Sequence, residues 1–195
     1  MDGTRPSGMS ASGPSGAERR LAGGIGAKKV DVSWATEESG LVLGASVKTI
    51  MFKDGVTGNF QKNLTNRRGD LLFETTTLHR RFPPYAVIVG FLFLDAAAAH
   101  DGTPRRKSTF ENVFPPRFRL FTRRPPDPSG REEQFERLYV LLVDTTLTPP
   151  TVRAWEANNP DVEIDLDSAL ADFIELVGER NFDLYDGTDG RVTKI

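Results

Sequence analysis

Lys48 is a cation inside an apolar stretch, Leu41 to Phe52 (LVLGASVKTIMF). An ammonium buried without a partner is costly, so a lysine in such a segment implies a nearby anion or an open edge. Ser46 lies two residues earlier. If the segment is a strand, Ser46 and Lys48 share one face while Val47 turns into the core. Asp31 sits in Lys28 to Thr36 (KKVDVSWAT), where Val30, Val32 and Trp34 alternate with polar neighbours, so its carboxylate faces away from both valines. Asp70 and Glu74 lie four apart on Asn63 to Phe82 (NLTNRRGDLLFETTTLHRRF), a segment with helical spacing. A hydroxyl, an ammonium and two carboxylates can support hydrolysis without cysteine or histidine. The chain has no cysteine and only two histidines, which excludes disulfides, thiolate zinc sites and cysteine nucleophiles. His79 falls on another helical face from Glu74 and reads as a polar rim residue, and neither His79 nor His100 is expected to join these groups. Each residue also has an ordinary reading. Asp31 suits a solvated strand face, and Glu74 suits an ion pair with Arg67, Arg68 or Arg81 on its own helix.

These residues need elements to position them. Met1 to about Ala27, rich in Gly, Ser, Pro and Arg, reads as a flexible tail, and residues 28–195 read as one domain. Within that domain, 28–36 and 41–52 form a hairpin around the turn Glu37 to Gly40. Lys53 to Lys62 is a polar loop, after which Asn63 or Thr65 caps a helix running to about Arg81 and stopped at Phe82-Pro83-Pro84. Leu64, Leu71, Leu78 and Phe82 face the core. Ala86 to Leu94 (AVIVGFLFL), apolar almost throughout, reads as a central strand covered on both faces. Residues 95–137 read mostly as loop, with a short strand at Phe118 to Thr122 and a short helix over Arg131 to Arg137. Leu138 to Val143 is a further strand and Val152 to Glu156 an edge strand. A last helix runs from about Leu166 to Arg180, capped by Asp165 or Asp167, with Leu166, Leu170, Phe173 and Val177 on one stripe.

Asp31 on one strand, Ser46-x-Lys48 on the next, an acid on the following helix and then a buried strand resemble the PD-(D/E)xK restriction-endonuclease-like superfamily in a variant form. The resemblance covers about residues 28–95, and Ser46 stands where the family usually has an acid. It implies an α/β fold with a mixed central sheet flanked by helices. It also implies a Mg²⁺-dependent DNA endonuclease in bacterial restriction or phage defence, with a non-catalytic nucleic-acid-binding module of the same fold as the alternative. On that pattern Asp31, Glu74 and the Val47 carbonyl hold Mg²⁺. Lys48 assists the attacking water, Ser46 completes the catalytic group, and Asp70 is the rival helix acid. Mg²⁺ prefers hard oxygen ligands, which this set supplies.

The net charge of −2 hides an asymmetry, because residues 1–143 sum to +6 and 144–195 to −8. Arg105, Arg106 and Lys107 open a basic stretch that includes Arg117, Arg119, Arg123, Arg124 and Arg131, and Arg67 and Arg68 add cations on the helix. These are the expected contacts to a DNA backbone; they set affinity rather than sequence choice. Double-stranded DNA is the expected partner, and a homodimer is kept as a candidate assembly. The nine-residue run at 86–94 is far short of the roughly 20 residues a spanning helix needs. With no secretory signal legible, the expected location is cytoplasmic.

Overall fold

The alternation through 28–36 does not make one strand. In a computed structural model, which describes residues 30–82, 84–114 and 131–195 and the backbone of 5–6, 19–22 and 27–29, the chain bends at Asp31. Ala27–Val30 (β3) lies before the bend and Val32–Thr36 (β4) after it. Arg5–Pro6 (β1) pairs with β4, and Arg19–Ala22 (β2) pairs with β3. The rest of the segment expected as a tail lies outside the described residues.

β4 runs antiparallel to Gly40–Ile50 (β5) through a turn that closes on Gly40. Gly40 has a φ of 68°, a left-handed conformation that side chains disfavour. From β5 the chain enters helix α1, Leu64–Arg81, and returns as Val87–Asp95 (β6), parallel to β5. The helix begins from a short 3₁₀ turn at Gln61–Asn63, and Asn63 makes no side-chain cap. Helix α2, Thr109–Val113, follows β6; then come Arg137–Asp144 (β7), parallel to β6, and Thr151–Glu156 (β8), antiparallel to β7. Glu163–Ile164 (β9) pairs outside β8, so β8 is not the edge its sequence suggests. β4 to β9 thus form a six-stranded mixed sheet in sequential order, with β1 added outside β4.

β6 has helices on both faces, as its continuous apolar run requires. Leu64, Leu71 and Leu78 of α1 pack on one face with Ile88, Leu92, Leu138 and Val140. Phe173, Ile174 and Val177 of helix α3, Leu166–Arg180, pack on the other with Val87, Val89, Phe91 and Leu141. α3 starts as expected, with the Asp165 side chain accepting the Ser168 N–H. Leu170 is exposed, however, and Ala169, Ile174 and Leu176 are buried instead. The reason lies downstream. A hairpin of Tyr185–Asp186 (β10) and Thr193–Lys194 (β11) brings Tyr185 against Trp34, with ring centroids 4.9 Å apart, and shifts the buried arc of the helix.

Arg131 to Arg137 is not a helix. Arg131 and Gln134 close a turn, after which the Glu136 N–H joins the ladder through the Ile88 carbonyl, 2.9 Å away, and Phe135 is fully buried. Strand pairing and burial override a weak helical pattern. Conversely, residues 95–137 contain α2, whose Ser108 and Glu111 cap each other reciprocally. Pro83, the strand expected at Phe118 to Thr122, and Arg117, Arg119, Arg123 and Arg124 lie outside the described residues. Among those described, no helix is long and apolar enough to cross a membrane.

Candidate active site

Ser46 and Lys48 sit on the α1-facing side of β5, near its carboxyl end, and Glu74 comes down on them from mid-helix. Glu74 follows Leu71 by three residues and precedes Leu78 by four, so it shares the buried stripe of α1. Its carboxylate accepts a short hydrogen bond from the Ser46 hydroxyl, and its Oε1 lies 3.0 Å from Lys48 Nζ. Asp70, one position off that stripe, pairs instead with Arg67 at 3.2 Å and is half-exposed.

Asp31 reaches the same place from the bend between β3 and β4. Where the backbone of the neighbouring strand turns away, the Val47 N–H needs another acceptor, and Asp31 Oδ2 takes it at 2.7 Å. The same oxygen lies 3.4 Å from Lys48 Nζ, and the Val47 carbonyl lies 3.3 Å from it. Three oxygens from three elements therefore meet at one ammonium. Side-chain exposure falls from 26% at Asp31 through 13% at Lys48 to 5% at Glu74, so the group opens to solvent on the Asp31 side. Among the described residues, the group brings two carboxylates to one ammonium in a mostly desolvated place. Among the described residues, no group of three or more His, Cys, Asp or Glu side chains could hold a metal ion. The cation-binding donors here are two carboxylates, a backbone carbonyl and a hydroxyl.

Neither histidine joins this group. His100 is exposed, but His79 is a correction to the rim reading, because its side chain is only 10% exposed. Its Nδ1 donates to the Glu132 carbonyl at 2.7 Å, and its Nε2 lies 3.0 Å from Glu136 Oε1. Glu136 is buried and also receives Arg180 at 3.2 Å and the Ile88 N–H at 2.7 Å. Burial alone would raise its pKa, but His79, Arg180 and the Ile88 N–H together hold it below the ordinary carboxylate value. Sequence reasoning missed this cluster, since an acid just before an apolar strand carries no sign of burial.

The cations expected at a phosphate backbone divide. Arg67 Nε donates to the Thr49 carbonyl at 3.3 Å, which puts it beside the strand that carries Lys48, and Arg68 is exposed on α1. Arg105 and Lys107 are exposed on a loop docked against the start of α1 by two contacts. The Phe60 N–H donates to Asp101 at 3.0 Å and Gln61 Nε2 to the Lys107 carbonyl at 2.9 Å. Arg106 is the correction. Its backbone pairs with Thr103, and its guanidinium turns inward to the Asp101 carbonyl, so it holds the loop together rather than facing solvent. On the opposite face of the sheet, Arg137 and Tyr139 both donate to Asp172 in a cleft of about 770 Å³. Burial, then the Asp172 charge, pushes the Tyr139 phenol well above its usual range.

No protein-family model matches this chain, and neither a curated protein nor a solved structure matches it.

Proposed function

We propose that the protein is a Mg²⁺-dependent DNA endonuclease with a restriction-endonuclease-like fold, hydrolysing phosphodiester bonds in the cytoplasm as part of restriction or phage defence. One observation carries the reading. Asp31, Lys48 and Glu74, separated by 17 and 26 residues of chain, meet with the Val47 carbonyl in a single desolvated cluster.

The donor chemistry fits Mg²⁺, which takes hard oxygens and keeps several waters. Asp31, Glu74 and the Val47 carbonyl would hold it, and it would supply Lewis acidity and a water of lowered pKa. The chain's own groups do the rest. Ser46 fixes the Glu74 carboxylate by donating to it. Lys48 stabilises negative charge on the phosphate as the attacking oxygen adds, an interaction stronger in the transition state than in the bound substrate. Arg67, Arg68, Arg105 and Lys107 attract the sugar-phosphate backbone irrespective of sequence.

The alternative, a nucleic-acid-binding module without catalysis, is favoured by Ser46. It stands where the resemblance has a metal-binding acid, and its hydroxyl is already committed to Glu74. Supercoiled unmethylated plasmid with the full chain separates the two. Conversion to nicked or linear DNA with Mg²⁺, abolished by EDTA, is the expected result. Intact plasmid with salt-sensitive retardation in a gel would establish the alternative and remove the catalytic reading.

A further inference from the structure

Lys48 Nζ lies 3.0 Å from Glu74 Oε1, 3.3 Å from the Val47 carbonyl and 3.4 Å from Asp31 Oδ2. These oxygens belong to the three groups that would hold the metal in the reading above, on which this inference rests. Mg²⁺ holds its oxygens at about 2.0–2.1 Å and is exacting about geometry. A metal ion and the ammonium therefore cannot both sit among them.

We propose that Lys48 is a resident competitor for its own metal site, so that a divalent cation enters by displacing the ammonium. The exchange has a direction. Asp31 is the most exposed member of the group, and the lysine stem is long and flexible, so the ammonium leaves toward solvent on the Asp31 side. That is also the side from which a phosphate can approach. Metal entry then does two things at once: it neutralises Glu74 and Asp31 in place of the lysine, and it frees Lys48 to meet the phosphate. Without metal, Lys48 lies against the buried Glu74 carboxylate and contributes to offsetting its charge.

Competition fixes the sign of a mutational effect that a simple supporting role for Lys48 would not. Lys48→Met removes the competitor and leaves every oxygen in place. Titration of the full-length protein with MnCl₂ alone, followed by calorimetry, should give binding on the order of tenfold tighter in Lys48→Met than in wild type, within the usual range of coupling between two ligands. Mg²⁺ should also raise the unfolding temperature of the variant more than that of wild type. Equal or weaker Mn²⁺ binding by the variant, with clear binding by wild type, overturns the exchange and leaves the metal reading standing. Binding by neither protein at millimolar Mn²⁺ overturns both. Should the variant fail to fold, the wild type decides by reciprocity. Acylation of Lys48, followed by peptide mass, should rise several-fold when Mn²⁺ is added at constant ionic strength. Protection or no change would overturn the proposal.

Discussion

Helix α1 carries two buried charge clusters, and they are built in opposite ways. Around Glu136 one carboxylate is saturated: Oε1 takes His79 and Arg180, and Oε2 takes the Ile88 N–H and shares His79. Around Lys48 one ammonium is shared among three oxygens, two from carboxylates and one from the backbone. A closed network has nothing left to offer a ligand, whereas a group of oxygens opening to solvent can exchange its cation. The first arrangement suits a structural tie between α1, β6, β7 and α3, and the second suits a site.

Replacing each glutamate by glutamine is the strongest way to break this contrast. At position 136 both carboxylate oxygens accept hydrogen bonds, so a glutamine must turn its NH₂ toward a donor and leave Arg180 without this counter-charge. Glu136→Gln should cost roughly 3–5 kcal/mol in urea unfolding. Glu74→Gln can accept from Lys48 through its oxygen and donate to Ser46 through its nitrogen, and Asp31 still faces the lysine, so its cost should stay near about 1 kcal/mol. Equal costs would erase the distinction. The acid limb adds a second reading. The Glu136 pKa is lower folded than unfolded, so its contribution is fully present above the ordinary value of 4.5 and is lost as pH falls through the folded value. In Glu136→Gln the dependence of stability on pH below about 4.5 should be flatter than in wild type; an unchanged slope would mean Glu136 is not held ionised by its partners.

The next effect is on rate. Lys48→Met keeps the apolar stem and should remain folded, but plasmid cleavage should fall on the order of 10²–10³-fold, with DNA affinity little changed. A folded Lys48→Met protein cutting at the wild-type rate would exclude Lys48 from catalysis. Glu136→Gln, by contrast, should retain its cleavage rate per folded molecule.

The smallest effects belong to the loop at 100–108. Arg105→Ala and Lys107→Ala should each reduce the slope of log affinity against log salt by about one, measured by fluorescence anisotropy on a DNA duplex. Arg106→Ala should leave that slope unchanged, because its guanidinium is turned onto Asp101. A salt slope lowered by Arg106→Ala as much as by Arg105→Ala would mean the loop rearranges on DNA.

Much of the candidate site was legible. The parity of a strand puts Ser46 and Lys48 on one side whatever follows them, and helical spacing puts Asp70 and Glu74 beside the leucine stripe, while only the packing of the helix chose Glu74 over Asp70. The cap at Ser108 and Glu111 was legible too, as an S-x-x-E pattern, and marks a helix missing from the reading of residues 95–137. Other features left no local trace. The alternation of valines runs through Asp31 without a break, so nothing in it announces a bend. Arg105, Arg106 and Lys107 look alike in the chain, yet only Arg106 turns inward.

The sequence by itself determined which side chains can share a face, because i and i+2 on a strand, or i, i+3 and i+7 on a helix, are set by covalent geometry and hydrogen-bonded pitch. It also implied that a lysine in an apolar strand finds an anion or an open edge. Only the tertiary structure decided which anion, since Glu74 and Asp31 reach Lys48 through the docking of α1 and the bend before β4, contacts 26 and 17 residues apart in the chain. The same holds for Glu136, whose burial depends on β7 pairing with β6 and on α3 delivering Arg180 across 44 residues. Local geometry is written residue by residue, but the surroundings of a charge depend on which distant segments pack around it, and that packing is a property of the whole chain.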